Sequence, residues 1–215
     1  MRRRDTLGSG PDPHVRFFDR IARAYGIFFP RQERGYRKLL RENRSLLALS
    51  RGDRVLDMGC GTGALLSALA AEGCEAWGVD PSRAMIGQAR HQLSGRGVRL
   101  SVANPLDGLS FRCESFDLVL SSMVLHGLPS ASRRRFLREA LRVSRGRVLV
   151  HDYPQRTGQP RIRGIFTRFV ELIEGGDYYR FVRRGMDDMR AAAGTVSVAR
   201  VDGEASWYFC GESVR

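Results

Sequence analysis

The stretch that decides the fold is Arg54-Val55-Leu56-Asp57-Met58-Gly59-Cys60-Gly61-Thr62-Gly63, a short apolar run that ends in three alternating glycines. The Ala- and Leu-rich segment 64–72 that follows it predicts a helix. Glycines let a backbone approach a ligand closely, and the N-terminus of a helix carries partial positive charge. The stretch therefore predicts a strand, a ligand-binding loop and a helix within an α/β fold.

Further apolar runs downstream extend this unit into a sheet. The predicted strands cover residues 76–79, 98–103, 116–120 and 147–150, and the predicted helices between them cover residues 83–93 and 132–143. Short apolar strands that alternate with helices indicate a parallel sheet covered on both faces. Near the end of the chain, Asp202-Gly203 separates two β-rich runs and predicts a hairpin. We expect a Rossmann-like, seven-stranded, mostly parallel sheet with helices on both faces and an antiparallel C-terminal hairpin.

The chain divides into a tail, a cap and a main domain. Residues 1–13 combine glycines, prolines and three adjacent arginines, which predicts a flexible tail. Residues 14–50 have helical periodicity and no strand pattern, so we expect an N-terminal helical cap. Residues 51–215 form the main domain, with a specificity insertion at about 154–192. Within the insertion we predict helices at 162–174 and 181–193, separated by a break at 175–179.

The net charge of +13 comes from 36 basic and 23 acidic residues. A polyanionic partner is one interpretation. Lys38 is the one lysine, however, and a GC-rich genome explains so complete a preference for arginine. Residues 1–54 hold much of the excess, away from the glycine loop. No RNA-binding signature accompanies the charge, so a nucleic-acid partner stays open but is not favoured.

The cysteines and the hydropathy bear on three further properties: metal binding, location and membrane insertion. Cys60, Cys74, Cys113 and Cys210 are widely spaced and form no CxxC pair, so no metal site is predicted. We expect reduced thiols in a cytoplasmic location. No apolar run approaches the ~20 residues of a transmembrane segment, and no secretory signal is recognised. No pattern in the sequence sets an oligomeric state.

Asp80 is the second element of the predicted ligand site. It closes the next strand, 21 residues after Gly59, where a carboxylate can accept hydrogen bonds from ribose hydroxyls. Nicotinamide dinucleotides and S-adenosylmethionine both carry this ribose, and a helix cap before Pro81 is the structural alternative. The GxGxG spacing, with Ala64 where the dinucleotide fingerprint has its third glycine, disfavours a dehydrogenase. A P-loop is excluded because no Gly-Lys-Ser/Thr follows.

Together these residues resemble class I S-adenosylmethionine-dependent methyltransferases. The stretch 55–63 resembles the first motif of that family, residues 78–82 with Met85 the second, and residues 116–122 with Leu125-His126 the fourth-strand motif. Residues 18–22 with Tyr25 are similar to the helical entry segment of the small-molecule branch. The resemblance extends from about residue 14 to residue 153 and implies S-adenosylmethionine as the cofactor.

The resemblance also implies roles for individual residues. The backbone of Gly59, Cys60 and Gly61 would line the amino-acid moiety of the cofactor, with Asp57 beneath the loop, and Asp80 would accept the ribose hydroxyls. The remaining implied cofactor contacts are Pro81, Met85 and Asn104 near the adenine, Ser121 and Ser122 near the sulfonium, and Tyr25 from the cap. Asn104-Pro105 is not the Asn-Pro-Pro-aromatic motif of nitrogen methyltransferases, because it follows the third strand and lacks the second proline.

His126 and His151 lie at predicted strand ends and are the candidate catalytic bases. A base is needed only where the methyl acceptor must lose a proton, and each histidine has a structural role as its alternative. The leading hypothesis is methyl transfer to a small-molecule acceptor. An RNA or protein methyltransferase, and a non-catalytic cofactor-binding scaffold of the same fold, are the alternatives.

Overall fold

The computed structural model describes residues 13–154, 176–202 and 205–210. These residues form a sheet with the strands β1 Arg54–Met58, β2 Glu75–Asp80, β3 Arg99–Val102, β4 Leu118–Ser122, β5 Val148–Asp152, β6 Val196–Asp202 and β7 Ala205–Cys210. Within the described ranges the sheet has seven strands in the order β3-β2-β1-β4-β5-β7-β6. The strands β1 to β5 are parallel, and β7 is antiparallel to both β5 and β6. The predicted fold class, including its C-terminal hairpin, is confirmed.

The strand order places the switch point of the sheet beside β1. The chain moves from β1 to β2 on one side and returns to β4 on the other, so both strands flank β1. Parallel strands end at a common edge, and ligands bind in the crevice where the order reverses. The carboxyl ends of β1, β2 and β4 therefore meet at one place.

Helices cover both faces of the sheet because successive side chains of each strand point to opposite sides. Val55 packs in a core cluster with α4 (Ala64–Ala71) and α5 (Arg83–Gln92). Its neighbour Leu56 packs in the opposite cluster, with α6 (Ser130–Val143) and α7 (Gly176–Ala193). None of the helices in the described ranges has the length and apolar character that crossing a bilayer requires.

The segment before β1 is helical, with α1 Pro13–Ile27, α2 Phe29–Glu42 and α3 Arg44–Leu47. Pro30 lies in the first turn of α2, where a proline fits because its missing N–H would have no helical partner. Helix α1 packs on α5, and α2 packs on α4. We call α1 to α3 the cap; it begins one residue earlier than predicted, at Pro13.

The insertion differs from its sequence prediction at residues 175–179. Helix α7 already starts at Gly176, so Tyr178 lies in its first turns instead of in a break. Tyr178, Phe181 and Val182 recur at helical spacing and are buried, and this burial outweighs the low helical propensity of Gly176. The predicted helix 162–174 and nearly all of the predicted tail 1–13 lie outside the described residues.

Two acidic residues fasten the cap to the sheet domain. Glu33 on α2 accepts hydrogen bonds from Ser67 Oγ at 2.6 Å and from Arg96 Nη1 at 2.8 Å. Burial alone would raise the pKa of Glu33, but hydrogen bonds from Ser67, Arg37 and Arg96 outweigh it and lower the pKa to about 2. On α1, Asp19 Oδ1 accepts the hydroxyl of Ser82 at 2.6 Å and so joins the cap to the start of α5.

We expect Glu33→Gln to lower the free energy of unfolding by roughly 1 kcal/mol at neutral pH, because charged hydrogen bonds are lost at a partly solvated site. The folded pKa lies below the ordinary value of 4.5, so the contribution of Glu33 is present above that value and fades as the pH falls towards about 2. Urea denaturation of both proteins at several pH values measures this difference.

Glu42→Gln is the matched control, since its ion pair with Lys38 is exposed and 3.6 Å long. We expect that control to change the unfolding free energy by less than about 0.5 kcal/mol. Equal losses for the two variants would show that Glu33 does not anchor the cap.

Candidate functional site

A cleft opens between the cap and the carboxyl ends of β1, β2 and β4. It measures about 1130 Å³, counting the space open to solvent, and its lining is largely apolar. The cap contributes His14, Val15, Phe18, Tyr25, Gln32 and Tyr36 to its walls. A largely apolar cleft with a few convergent polar groups has the character of a small-molecule site.

The glycine loop forms the floor of the cleft. Gly59 has a φ of +84°, and a Cβ at this position would lie 2.6 Å from Cγ2 of Val124. Gly61 also has a positive φ, of +50°, and faces open space, so its backbone stays accessible from the cleft. The amides of Gly59 and Cys60 donate to the carbonyl of Val79 at 2.8 and 3.1 Å, which holds the loop against β2. The loop is therefore rigid, and its backbone faces the cleft.

Asp57 lies beneath this loop at the end of β1 and is buried. No donor in the described part of the chain reaches its Oδ1. Burial raises the pKa of Asp57 to about 8, and the charge of Asp80 adds to the rise. A buried acceptor without a partner is costly, and a cation or a hydrogen-bond donor in the cleft would relieve that cost. Asp57 thus fits a positively charged part of a ligand.

Asp80 is held at the end of β2 by two backbone amides. Its Oδ2 accepts the N–H of Gly61 at 2.9 Å, and its Oδ1 accepts the N–H of Ser82 at 2.9 Å. Burial raises the pKa of Asp80 to about 6 although these two amides oppose the rise, and the charge of Asp19 adds to it. Each carboxylate oxygen has a second lone pair, so Asp80 can still accept two hydroxyl groups from a ligand.

The wall next to Asp80 brings together the residues predicted to border an adenine. Pro81, Met85 and Asn104 all line the cleft, as does Tyr25 from the cap. Ser82 caps α5 by accepting the amide of Met85 at 3.0 Å, which places that helix at the rim. The side chain of Asn104 accepts the amide of Leu106 at 3.1 Å, so the turn after β3 is fixed.

A hydrogen-bonded chain of three side chains spans the opposite wall. Ser122 Oγ lies 3.1 Å from the hydroxyl of Tyr36 and 3.0 Å from Nδ1 of His151. Tyr36 and Ser122 line the cleft, and the ring of His151 stacks on Trp207 behind them, with centroids 4.7 Å apart. We call these three residues the relay. The helical periodicity of residues 14–50 does not reveal the hydroxyl of Tyr36, because periodicity does not distinguish a phenol from another large side chain.

His126 and Ser121, both predicted site residues, do not line the cleft. His126 Nδ1 lies 2.7 Å from Oδ1 of the buried Asp152, whose Oδ2 accepts the amide of Leu125 at 2.9 Å. The imidazole packs edge-on against Tyr153 and Tyr178. This placement holds the turn after β4 and does not support a catalytic role for His126. Ser121 is buried within β4.

The described parts of the chain provide no group of three His, Cys, Asp or Glu side chains that could hold a metal ion. Each of the four cysteines is a free thiol. Helix α7, the described part of the predicted specificity insertion, packs on α6 and contributes no residue to the lining of the cleft.

Comparison with known proteins identifies the family to which this chain belongs. Residues 55–146 match the family described as "Methyltransferase domain". The chain is 41% identical over 75 residues to a ubiquinone biosynthesis O-methyltransferase of Sinorhizobium medicae, an alignment that covers 34% of this chain and 30% of that protein. It is 32% identical over 176 residues to a demethylmenaquinone methyltransferase of Mycobacterium sp. strain KMS, covering 79% of this chain and 70% of that one.

The fold is shared more widely than the sequence. The crystal structure of magnesium protoporphyrin IX methyltransferase from Synechocystis PCC 6803 with bound SAH superposes with a TM-score of 0.59 at 19% identity, over 95% of this chain and 90% of that one. The family match at residues 55–146 contains the glycine loop and both cleft carboxylates. By sequence and fold, this chain belongs to the class I S-adenosylmethionine-dependent methyltransferases.

Proposed function

We propose that this protein transfers a methyl group from S-adenosylmethionine to a small-molecule acceptor. The observation that carries the proposal is the pair of buried carboxylates, Asp57 and Asp80, on either side of the glycine loop. Asp57 has an unpartnered acceptor suited to a cation, and Asp80 has lone pairs suited to hydroxyl groups. S-Adenosylmethionine carries an ammonium, a sulfonium and a ribose diol, so these residues fit it.

In the proposed reaction, the cofactor supplies a methyl group on a positively charged sulfur. Asp80 would accept the ribose hydroxyls, the backbone of the loop 59–61 would line the amino-acid moiety, and Pro81, Met85 and Asn104 would border the base. The largely apolar lining and the cap shield the reacting atoms from water, and positioning and desolvation can supply much of the rate of such a displacement.

The acceptor would lie under the cap, against the wall formed by Tyr36 and Ser122. The names of two relatives refer to ubiquinone biosynthesis and to demethylmenaquinone, which supports a quinone-like or phenolic acceptor. The insertion at 154–192 stays the proposed contributor to acceptor choice, and a cytoplasmic location stays the expectation from the cysteines.

The relay gives the cleft a route for the proton of a hydroxyl acceptor. Burial raises the pKa of Tyr36, so the phenol stays protonated and acts as a carrier. A hydroxyl acceptor must lose its proton when it is methylated. That proton would pass to Tyr36 Oη, the Tyr36 proton to Ser122 Oγ, and the Ser122 proton to Nδ1 of His151, in the tautomer in which Nδ1 accepts. The methylated product is neutral, and the proton remains on His151 until solvent removes it.

Asp80→Ala should weaken binding of S-adenosylmethionine by about 1–3 kcal/mol, because charged hydrogen bonds to the ribose are lost. Titration calorimetry measures the affinity directly. Asp187→Ala, which removes an exposed acid from α7, is the matched control and should bind normally. Unchanged affinity in Asp80→Ala would refute the ribose assignment, and no binding by the wild-type protein would overturn the proposed function.

Asp57 should release a proton when the cofactor binds near neutral pH. Its pKa of about 8 leaves the carboxyl mostly protonated at that pH, and a cation beside it lowers the pKa. Calorimetry in buffers with different ionisation enthalpies should report most of one proton released, and this release should fade above about pH 9. In Asp57→Asn the release should disappear; if it persists, another group carries the proton.

Tyr36→Phe and His151→Gln should each slow methylation of a hydroxyl acceptor by about 10- to 100-fold while leaving cofactor affinity within about twofold. A panel of catechols and hydroquinones, assayed for the demethylated cofactor, provides the acceptors. Methylation of an acceptor that has no proton to lose should be slowed by less than about twofold in either variant, because the relay is then not needed. Equal losses with both kinds of acceptor would assign the relay a structural role.

A further inference from the structure

The outer face of α1 carries a strip of arginines. Arg16, Arg20, Arg23 and Ile27 are spaced by four, three and four residues, which places them within an arc of about 60° on a helix. All four are exposed. The opposite face of the same helix carries Val15, Phe18 and Tyr25, which line the cleft. Helix α1 therefore separates the cleft from a basic outer surface.

The strip ends at an apolar tip. Ile27 is 76% exposed and Phe28 is 51% exposed, and they are adjacent at the junction of α1 and α2. Among the described residues, one other large hydrophobic side chain is exposed. It is Met123, which is 36% exposed and lies on the wall of the cleft. Two adjacent large apolar side chains at a protruding corner form a contact surface, whereas a single exposed one would be unremarkable.

Among the described residues, no ion pair offsets the positive charge of the strip. The exposed acids of α1 and α2 are already engaged: Asp19 accepts from Ser82 and Ala84, and Glu42 pairs with Lys38. No ion pair joins Arg16, Arg20 or Arg23 to an acid in the described ranges. Arg31, in the first turn of α2, adds a further exposed cation beside the tip.

We propose that the arginine strip and the Ile27–Phe28 tip form a docking surface for an anionic phospholipid membrane. The guanidinium groups pair with lipid phosphates, and the two apolar side chains enter the boundary between headgroups and acyl chains. A nucleic acid would use the arginines and could stack on Phe28, but it has no use for an exposed isoleucine. A bilayer surface would contact both the arginine strip and the Ile27–Phe28 tip.

Docking in this way would place the cap between the membrane and the cleft. Helices α1 and α2 both line the cleft, through Tyr25 and Gln32 on either side of the tip. A lipid-soluble acceptor could then pass from the bilayer to the cleft along the cap. This last step rests on the proposed function, whereas the docking surface itself does not.

The test is co-sedimentation of the whole chain with vesicles made of equal parts phosphatidylcholine and phosphatidylglycerol, compared with phosphatidylcholine alone. The wild-type protein should bind the anionic vesicles, and binding should fall as salt is added. Arg20→Gln with Arg23→Gln should weaken binding by roughly 25-fold, since each arginine near such a surface contributes about fivefold. Ile27→Ser with Phe28→Ser should weaken it by about tenfold or more.

The matched control is Arg112→Gln with Arg138→Gln, which removes the same charge from exposed positions elsewhere and should leave vesicle binding within about twofold. Equal binding to neutral vesicles, or equal losses in this control, would overturn the proposal. So would tight binding of transfer RNA that ignores Ile27→Ser with Phe28→Ser, or a dimer in solution that this variant dissociates.

Cofactor calorimetry on the same variants keeps the two proposals separate. Strip and tip variants that lose vesicle binding but bind S-adenosylmethionine normally support the docking surface and show that the variants are folded. Wild-type protein that binds vesicles but not the cofactor would leave the docking surface standing and overturn the proposed function.

Discussion

The carboxylate of Asp80 is the interaction on which the rest of the site depends. It accepts the amide of Gly61 at 2.9 Å and the amide of Ser82 at 2.9 Å, so one side chain fixes both the glycine loop and the start of α5. Ser82 in turn donates to Asp19 on α1 at 2.6 Å. The loop, the rim helix and the cap are thereby joined at the group that we assign to the ribose.

This arrangement buries two carboxylates close together, while hydrogen bonds hold the surrounding backbone in place. Asp57 and Asp80 are both buried at the same cleft, and burial, with their mutual repulsion, raises the pKa of Asp57. Two buried carboxylates favour a cationic ligand that carries hydroxyl groups over a neutral one. A cationic ligand recovers the energetic cost of burying the two carboxylates when it binds. A preorganised site discriminates between ligands in this way.

The sheet and the cofactor contacts could be predicted from sequence because they follow from local patterns. Apolar runs end in glycine or acidic residues at the points where the structure places the cleft. The relay could not be predicted in the same way, because its contacts join distant elements. His126 and His151 both follow predicted strands, and the sequence does not distinguish them. In the structure, Asp152 holds His126 inside the core, while Ser122 links His151 to the cleft. Tyr36 is recognised as part of the site only from the structure, in which α2 brings its hydroxyl next to Ser122 at the end of β4.

The cap also changes how the charge of the chain is interpreted. A net charge of +13 indicates a polyanionic partner only if the charges share a surface, and composition alone does not locate them. The structure divides α1 into an inner face that lines the cleft and an outer face of three arginines that ends in an exposed apolar corner. Arginines beside exposed isoleucine and phenylalanine suit a partner that is both anionic and apolar within a few ångströms. A phospholipid surface has that combination. Under our proposals, the arginines of α1 bear on where the enzyme works, and the buried carboxylates bear on what it binds.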